Sequence, residues 1–196
     1  MLRPMVQPAA IQHMSAAEYL AWERGQLEKH EFHRGEVFAM AGGSMRHNFL
    51  ANAIGGELRA AFRGKKCHVL SPDQKVAIVP GERFVYPDAV VVCDGAETDS
   101  LAKDVLANPR ILVEVLSPTS ESYDRGEKWE AYQRLPSVKD YLLISQASVR
   151  VEHYQREADG SWKYRLLEAG GTVTLANGAT VAVDAIYDGA FELPAA

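Results

Sequence analysis

Cysteine is scarce in this chain: Cys67 and Cys93 are the two that its 196 residues contain. Zinc-binding cysteines come in pairs about two to four residues apart, so this spacing excludes a zinc-ribbon site. Both cysteines lie among apolar residues. Because thiols stay reduced in the cytoplasm, we predict two reduced core cysteines in a cytoplasmic protein.

Long apolar runs are also missing. No stretch approaches the roughly 20 apolar residues that a membrane-spanning helix needs. Residues 1–8 lack the continuous apolar segment of a signal peptide. No repeat, low-complexity segment or linker divides the chain. We therefore predict a flexible leader at residues 1–14, a single domain at residues 15–196, and no membrane partner.

An excess of positive charge is absent as well. The chain has 21 Lys and Arg against 26 Asp and Glu, a formal net charge of −5. This balance argues against a passive, strongly basic nucleic-acid-binding protein. It leaves room for an enzyme that acts on nucleic acid, because part of the acidic charge can belong to a metal site. The local basic clusters are Arg59, Arg63, Lys65 and Lys66, and then Arg125, Lys128 and Arg134.

What the chain has instead is acidic residues inside apolar strands. Ile111–Leu116 is apolar on both alternating faces except for Glu114, and Phe84–Val92 is apolar except for Asp88. A lone carboxylate in a buried strand costs roughly several kcal/mol unless a cation or hydrogen-bond donors meet it. We predict that the two acids, each near the middle of an interior strand, share one site for a divalent cation.

The periodicities around these strands predict a mixed sheet flanked by helices. Ser15 and Glu18 form a capping box for a short helix, and a hairpin follows over residues 31–40. A long helix then runs to about Arg63, with His47 on the inward side of its start. Its apolar stripe is Leu50, Ile54, Leu58 and Phe62.

The second half predicts more strands, one helix and a C-terminal hairpin. The strands are Cys67–Leu70, Gln74–Val79, Phe84–Val92, Ile111–Leu116 and Tyr141–Ile144, the helix is Ser122–Leu135, and the hairpin is Val149–Gln155 with Trp162–Glu168. This order favours an α/β (α+β) fold with a mixed central sheet over a doubly wound nucleotide-binding fold. No Gly-x-Gly-x-x-Gly or Walker sequence is present, and Ala41–Ser44 is too weak a signal for a phosphate cradle.

The acidic strands carry a family resemblance. Pro87-Asp88 followed by an acid in the next apolar strand resembles the PD-(D/E)XK nuclease superfamily. The longer stretch from Val113 to Ser120 resembles the Uma-two family of predicted restriction endonucleases. With the other matching residues, the resemblance extends over roughly residues 15–155. The other matching residues are Tyr86, Asp124, Arg125, Gly126, Lys128 and Tyr132, and upstream Glu31, Gly35, Glu36, His47 and Asn48.

The resemblance implies a function and a set of roles. It implies a restriction-endonuclease-like core with the C-terminal hairpin as an appendage, a homodimer, and hydrolysis of nucleic acid, expected to be DNA. Asp88 and Glu114, with the backbone carbonyl of Val115, would hold Mg²⁺, for which Mn²⁺ can substitute. Lys128 would orient the attacking water or stabilise the charged phosphorane. Glu36 and His47 would be accessory residues at the metal shell or the scissile phosphate.

The lysine departs from the superfamily pattern. Its usual place is two residues after the second acid, where this chain has Leu116. In this chain Lys128 lies on the following predicted helix, where Asp124 and Tyr132 share its face at a spacing of four. A lysine stem of four carbons can carry the ammonium back to the end of the strand that bears Glu114.

Structural readings of the same residues stay open. Asp88 after a proline is compatible with an edge strand, and Glu114 with an ion pair to Lys128 or Arg110. His47 fits a satisfied helix-start histidine equally well. The hairpin aromatics Tyr154, Trp162 and Tyr164 either anchor a dimer or cover the core. The first basic cluster reads as a solvated helix end.

A competing motif and two other functions also remain. Asp73 and Lys75, with Glu36, offer an alternative acid-x-Lys arrangement, although Asp73 sits at the polar start of a strand and not inside an apolar run. An inactive nuclease-fold module for nucleic-acid or protein binding is the first alternative to an endonuclease. A metal-dependent hydrolase of other phosphate esters is the second.

Overall fold

Two six-stranded sheets and one two-stranded sheet form the β structure of residues 12–195, the part of the chain that this computed structural model describes. The predicted leader lies outside the described residues from position 1 to 11, as does Ala196. Gln12–His13 form a short strand, β1, which pairs with a strand of the first sheet.

The N-terminal sheet has the strand order β1-β3-β2-β6-β5-β8. Its other strands are β2 (His30–His33), β3 (Glu36–Ala39), β5 (Lys75–Val79), β6 (Arg83–Val85) and β8 (Val105–Leu106). Helix α1 (Ala16–Glu23) contributes Tyr19 to the core beside this sheet and begins with the predicted Ser15–Glu18 capping box. The predicted β2–β3 hairpin is confirmed. It turns at Arg34 and Gly35, both with positive φ.

The central sheet has the order β12-β11-β10-β9-β7-β4 and is mixed, as predicted. Its strands are β4 (Cys67–Leu70), β7 (Ala89–Cys93), β9 (Ile111–Leu116), β10 (Asp140–Ser145), β11 (Arg150–Arg156) and β12 (Trp162–Glu168). Strands β9 and β10 run parallel, and the other neighbours run antiparallel. A third sheet pairs β13 (Thr172–Thr174) with β14 (Thr180–Ala182).

Alternation along β9 divides the core between the two faces of the central sheet. Ile111, Val113 and Val115 pack on one face with helix α2 (Met45–Ala61), whose predicted apolar stripe is buried. Helix α5 (Val183–Tyr187) covers the same face. Leu112 and Leu116 pack on the other face, where Glu114 also points. The buried acid thus faces the layer opposite to α2.

A broken helix covers that second face. It consists of α3 (Glu121–Tyr123), a π-helical turn (Asp124–Lys128) and α4 (Trp129–Gln133), and we call residues 121–133 the site helix. Its Tyr132 is fully buried against the central sheet. The prediction of one helix here is confirmed in position. The π-helical turn is a finding that spacing did not indicate.

Two predicted elements are corrected by the structure. Phe84–Val92 is not one strand, because β6 belongs to the N-terminal sheet and β7 to the central sheet. The strand pairing is interrupted at Pro87, which has no N–H to donate to a neighbouring strand. Asp88 lies in this interruption and not in the middle of a strand. The C-terminal hairpin is not an appendage either. β11 pairs with β10, so the hairpin continues the central sheet.

The cysteines overturn a third prediction. Cys67 and Cys93 form a disulfide instead of two reduced thiols. They are directly opposite each other in the antiparallel β4–β7 ladder, a cross-strand pair that their separation in sequence does not reveal. The bond therefore fixes the edge strand β4 to the sheet that carries the acidic residues.

We expect this disulfide to contribute about 2–4 kcal/mol to stability, because it closes a 26-residue loop in the unfolded chain. Urea unfolding with and without reductant measures this difference. The double variant Cys67→Ser/Cys93→Ser is the control, and reductant should not change its midpoint. Free thiols detected in the native, unreduced protein would contradict the bond.

Candidate active site

Glu114 lies at the centre of a buried polar cluster between the central sheet and the site helix. Its side chain is buried, and Oε1 accepts hydrogen bonds from Lys128 Nζ at 3.1 Å and from Tyr132 Oη at 2.8 Å. The carboxylate on β9 therefore meets a cation and a hydroxyl, as its position in an apolar strand requires. Arg110, the other partner considered from the sequence, makes no ion pair with it among the described residues.

Lys128 is shared by three carboxylates. Its Nζ lies 3.1 Å from Glu31 Oε1, 3.1 Å from Glu114 Oε1 and 3.4 Å from Asp124 Oδ1. The lysine is buried, and its Nζ lies over the ring of Tyr123, 5.4 Å from the ring centroid. The sequence prediction that a helix-borne lysine can reach Glu114 is confirmed.

The π-helical turn sets this arrangement. Both of its end residues, Asp124 and Lys128, are buried, while Arg125 and Glu127 between them are less enclosed. A π-turn widens the helix by one residue, and such turns often occur at functional sites. Within this turn Asp124 meets Lys128, and Lys128 in turn meets Glu114.

Asp88 forms the second half of the site. Its Oδ2 accepts a hydrogen bond from the backbone N–H of Val115 at 2.7 Å, and His47 Nε2 lies 3.3 Å from the same oxygen. Glu114 is part of β9, and Asp88 binds the backbone N–H of the next residue of that strand. The two acids are close enough for the charge of Asp88 to help raise the pKa of Glu114. The structure thus joins Asp88 to Val115 through the amide; a ligand role for the Val115 carbonyl stays a prediction.

His47 approaches Asp88 from the start of α2. Ser44 caps this helix and accepts a hydrogen bond from the His47 N–H at 3.1 Å. Burial lowers the pKa of His47, but the hydrogen bond and charge of Asp88 outweigh it and hold the pKa above its ordinary value. The inward orientation predicted from helical spacing is confirmed.

The electrostatics of the cluster are dominated by burial and by its surplus of acids. Burial raises the pKa of Glu114 well above its ordinary value; Lys128 opposes this, and the acidic neighbours reinforce it. Burial likewise raises the pKa of Asp124. Burial would lower the pKa of Lys128, but the three surrounding carboxylates hold it well above its ordinary value. The lysine is therefore charged across the physiological range.

The chain also matches a known protein family over most of its length. The model of the Uma2 family, described as "Putative restriction endonuclease", matches residues 16–194. The chain belongs to the Uma2 family. A relative from Synechocystis sp. (strain ATCC 27184 / PCC 6803 / Kazusa), "Uncharacterized protein slr1290", is 37% identical over 177 residues, which is 90% of this chain and 92% of the relative. A second relative from that strain, "Uncharacterized protein sll1609", is 32% identical over 158 residues, 81% of this chain and 89% of the relative.

The fold also has a solved counterpart. A crystal structure from Anabaena variabilis ATCC 29413, of "a putative nuclease belonging to DUF820", matches with a TM-score of 0.74 at 12% identity. The match covers 90% of this chain and 99% of that chain. The predicted mixed α+β, nuclease-like fold of this Uma2 member is thus confirmed. In addition, no helix within residues 12–195 has the length and apolar character to cross a membrane.

Glu31 is the site residue that motif reading missed. Among the described residues, the exposed Glu36 makes none of the contacts around Lys128 or Asp88, so its accessory role stays a prediction. Glu31, on the adjacent strand β2, reaches Lys128 instead. Its Oε2 accepts a hydrogen bond from Tyr123 Oη at 3.2 Å, and Arg83 donates to that hydroxyl at 2.7 Å. Glu31 stands out as an acid in the buried part of β2. The family resemblance includes it, but its spacing from the other acids does not indicate a role.

The competing acid-x-Lys motif is not part of this site. Asp73 is exposed and pairs with Lys29 at 2.8 Å. Lys75 instead lies over the rings of Tyr19 and Tyr86. The exposed basic cluster at the far end of α2 begins at Arg59, which is about 18 Å along the helix axis from His47 at a rise of 1.5 Å per residue.

We expect Lys128→Met to destabilise the fold by about 3–5 kcal/mol, because it leaves three buried carboxylates without their shared cation. Chemical denaturation measures this. Adding Glu114→Gln to Lys128→Met should recover part of the loss, since it removes one of those charges.

The matched control is Lys66→Met, at an exposed position, which should change stability by less than about 0.5 kcal/mol. A Lys128→Met protein as stable as the wild type would show that the acids are already protonated and need no cation.

Proposed function

We propose that this chain is a metal-dependent endonuclease that hydrolyses phosphodiester bonds of nucleic acid, with DNA as the substrate. One observation carries the proposal: three buried carboxylates surround a single lysine, and a fourth lies against the residue that follows Glu114 on β9. They are Glu31, Asp88, Glu114 and Asp124. The nuclease descriptions of the family and of the structural counterpart support the same reading.

The donor set suits a hard divalent cation. Asp88 and Glu114 offer carboxylate oxygens beside adjacent positions of β9, and the acidic charge exceeds what Lys128 offsets. Within residues 12–195, no three His, Cys, Asp or Glu side chains are grouped as a ready cation cage. Mg²⁺ does not need one, because it takes one or two protein carboxylates together with water and substrate phosphate. Asp88 and Glu114 would hold it.

Other residues of the chain would contribute the remaining steps of hydrolysis. When bound, Mg²⁺ supplies an acidified water and neutralises charge that develops on the phosphate. Lys128, fixed by Glu31 and Asp124, places a permanent positive charge beside Glu114, where it would stabilise the anionic phosphate. His47 and the Val115 N–H hold Asp88 in one orientation.

A second candidate is an inactive module with the nuclease fold. It is favoured by the position of Lys128, whose ammonium donates to Glu114 and forms ion pairs with Glu31 and Asp124 at 3.1 and 3.4 Å. In that case the cluster would be structural, and the surface would bind nucleic acid or protein without cleavage.

We expect Asp88→Asn and Glu114→Gln each to abolish Mn²⁺ binding in titration calorimetry and Mg²⁺-dependent cleavage of plasmid DNA. Both variants should stay folded, because an amide oxygen can still accept from Val115 and Lys128 keeps two other carboxylates. The matched control is Asp73→Asn, in the exposed acid-x-Lys motif, which should behave as the wild type.

The outcomes separate the candidate functions. Metal binding without cleavage of any DNA or RNA would favour the inactive module. Hydrolysis of small phosphate esters alone would favour the other hydrolase. Mn²⁺ binding that survives in either acid variant would eliminate the shared metal site.

We also propose that the protein is a homodimer that pairs through β12. This strand is an edge of the central sheet, and it exposes Tyr164 and Leu166 at 49% and 42%. The other hairpin aromatics do not compete for this role. Tyr154 and Trp162 pack on Trp129 with ring centroids 4.3 and 4.7 Å away, so they cover the core.

Light scattering at micromolar concentration should therefore give a dimer for the wild type and a monomer for Leu166→Lys. The added charge would have to be buried against the second copy. Leu101→Lys, at a similarly exposed leucine outside the sheets, serves as the control and should remain dimeric. A monomeric wild type refutes the proposal.

A further inference from the structure

The imidazole of His47 lies between a carboxylate and a glycine. Nε2 contacts Asp88, whereas Nδ1 is buried and has no hydrogen-bond partner among the described residues. The backbone of Gly43 lies on the Nδ1 side. A Cβ on this residue would lie 2.6 Å from Nδ1 and 2.9 Å from Cγ of the ring. The ring thus occupies the volume that a side chain at position 43 would need.

The adjacent glycine shows that the requirement is steric. A Cβ on Gly42 would meet nothing within 4 Å. Neither glycine belongs to the positive-φ set of the described chain, so backbone conformation does not explain either one. The steric difference between Gly43 and Gly42 is therefore the ring of His47, which lies against position 43.

The backbone around Gly43 is tied to the central sheet. Ser44 Oγ donates to Gln146 Oε1 at 2.8 Å, and Gln146 Nε2 donates to the carbonyl of Leu116 at the end of β9, also at 2.8 Å. Asn48 Nδ2 holds the carbonyl of Gly43 at 3.4 Å. Because the backbone is anchored in this way, a side chain at position 43 would displace the ring of His47 and not the loop.

We infer that Gly43 is a positioning residue, which sets the His47 imidazole against the Asp88 carboxylate. The Val115 N–H holds the same carboxylate oxygen from β9. Glycine, histidine and amide together fix the direction in which Asp88 presents its other oxygen. The consequence for metal binding rests on the proposed function, whereas the position of the ring does not.

The test compares Gly43→Ala with Gly42→Ala in the metal-free protein. Long-range ¹H–¹⁵N spectra of histidine-labelled protein report the ring nitrogens, and His47→Gln assigns the His47 signals. We expect Gly42→Ala to keep the wild-type His47 signals and Gly43→Ala to shift them toward those of a solvated imidazole. Wild-type signals in Gly43→Ala would overturn the inference.

The free energy of unfolding provides a second test, which remains informative if Gly43→Ala folds poorly. Alanine at position 43 should destabilise the wild type but be close to neutral in His47→Ala, where the ring is gone. An equal loss in both backgrounds would show that the ring is not what glycine accommodates, and would overturn the inference.

Calorimetry with Mn²⁺ links the ring to the site. We expect Gly43→Ala and His47→Gln to weaken Mn²⁺ binding by about 10-fold, the low end for groups that orient a metal ligand, with Gly42→Ala unchanged. Failure of the wild type to bind Mn²⁺ would refute the proposed function, and the spectra would still decide the role of Gly43. Unchanged Mn²⁺ affinity in Gly43→Ala with a displaced ring would overturn the positioning role.

Discussion

One buried ammonium group joins the main parts of the fold. Lys128 belongs to the site helix, and its three carboxylates come from the N-terminal sheet through Glu31, from the central sheet through Glu114, and from the helix itself through Asp124. Removing one partner of a buried ion cluster leaves a charge that neither water nor protein satisfies. The cluster therefore fixes how the two sheets and the helix meet, and the apolar contacts around Tyr132 complete that layer.

The composition of the cluster is not what stability alone would select. Replacing buried ion pairs by apolar residues of similar volume is often neutral or stabilising. Here the acids exceed the lysine, and burial raises the pKa of both Glu114 and Asp124. Buried charges that lower stability are expected where a fold has a functional site. Perturbed pKa values in a cluster of acids are a further indicator of such a site.

The parts of this structure that local pattern controls could be predicted from the sequence. The bounds of β9, the stripe of α2 and the capping box of α1 follow from periodicity and local hydrogen bonding, and each agrees with the structure. The break at Pro87 could not be predicted, because apolar alternation does not tell which of two sheets a strand joins. The disulfide and the role of Glu31 depend on register and on packing between distant strands, about which spacing carries no information. Pattern thus singled out Asp88, Glu114 and Lys128 as candidates, and tertiary contacts decided which side chains meet.

Lys128 is held redundantly, because three carboxylates surround its ammonium. If Glu114 alone held the lysine, any turn of that carboxylate toward another partner would release the ammonium from its place. Glu31 and Asp124 remove this dependence, because they hold Nζ from the N-terminal sheet and from the helix turn. Glu31 is itself steadied by the Tyr123 hydroxyl, to which Arg83 donates. Glu114 is in turn the one acid of the three that lies on β9 beside the position that Asp88 contacts. If the proposed cation binds, the surplus of acids would permit Glu114 to contact it, while the lysine keeps a fixed position through Glu31 and Asp124.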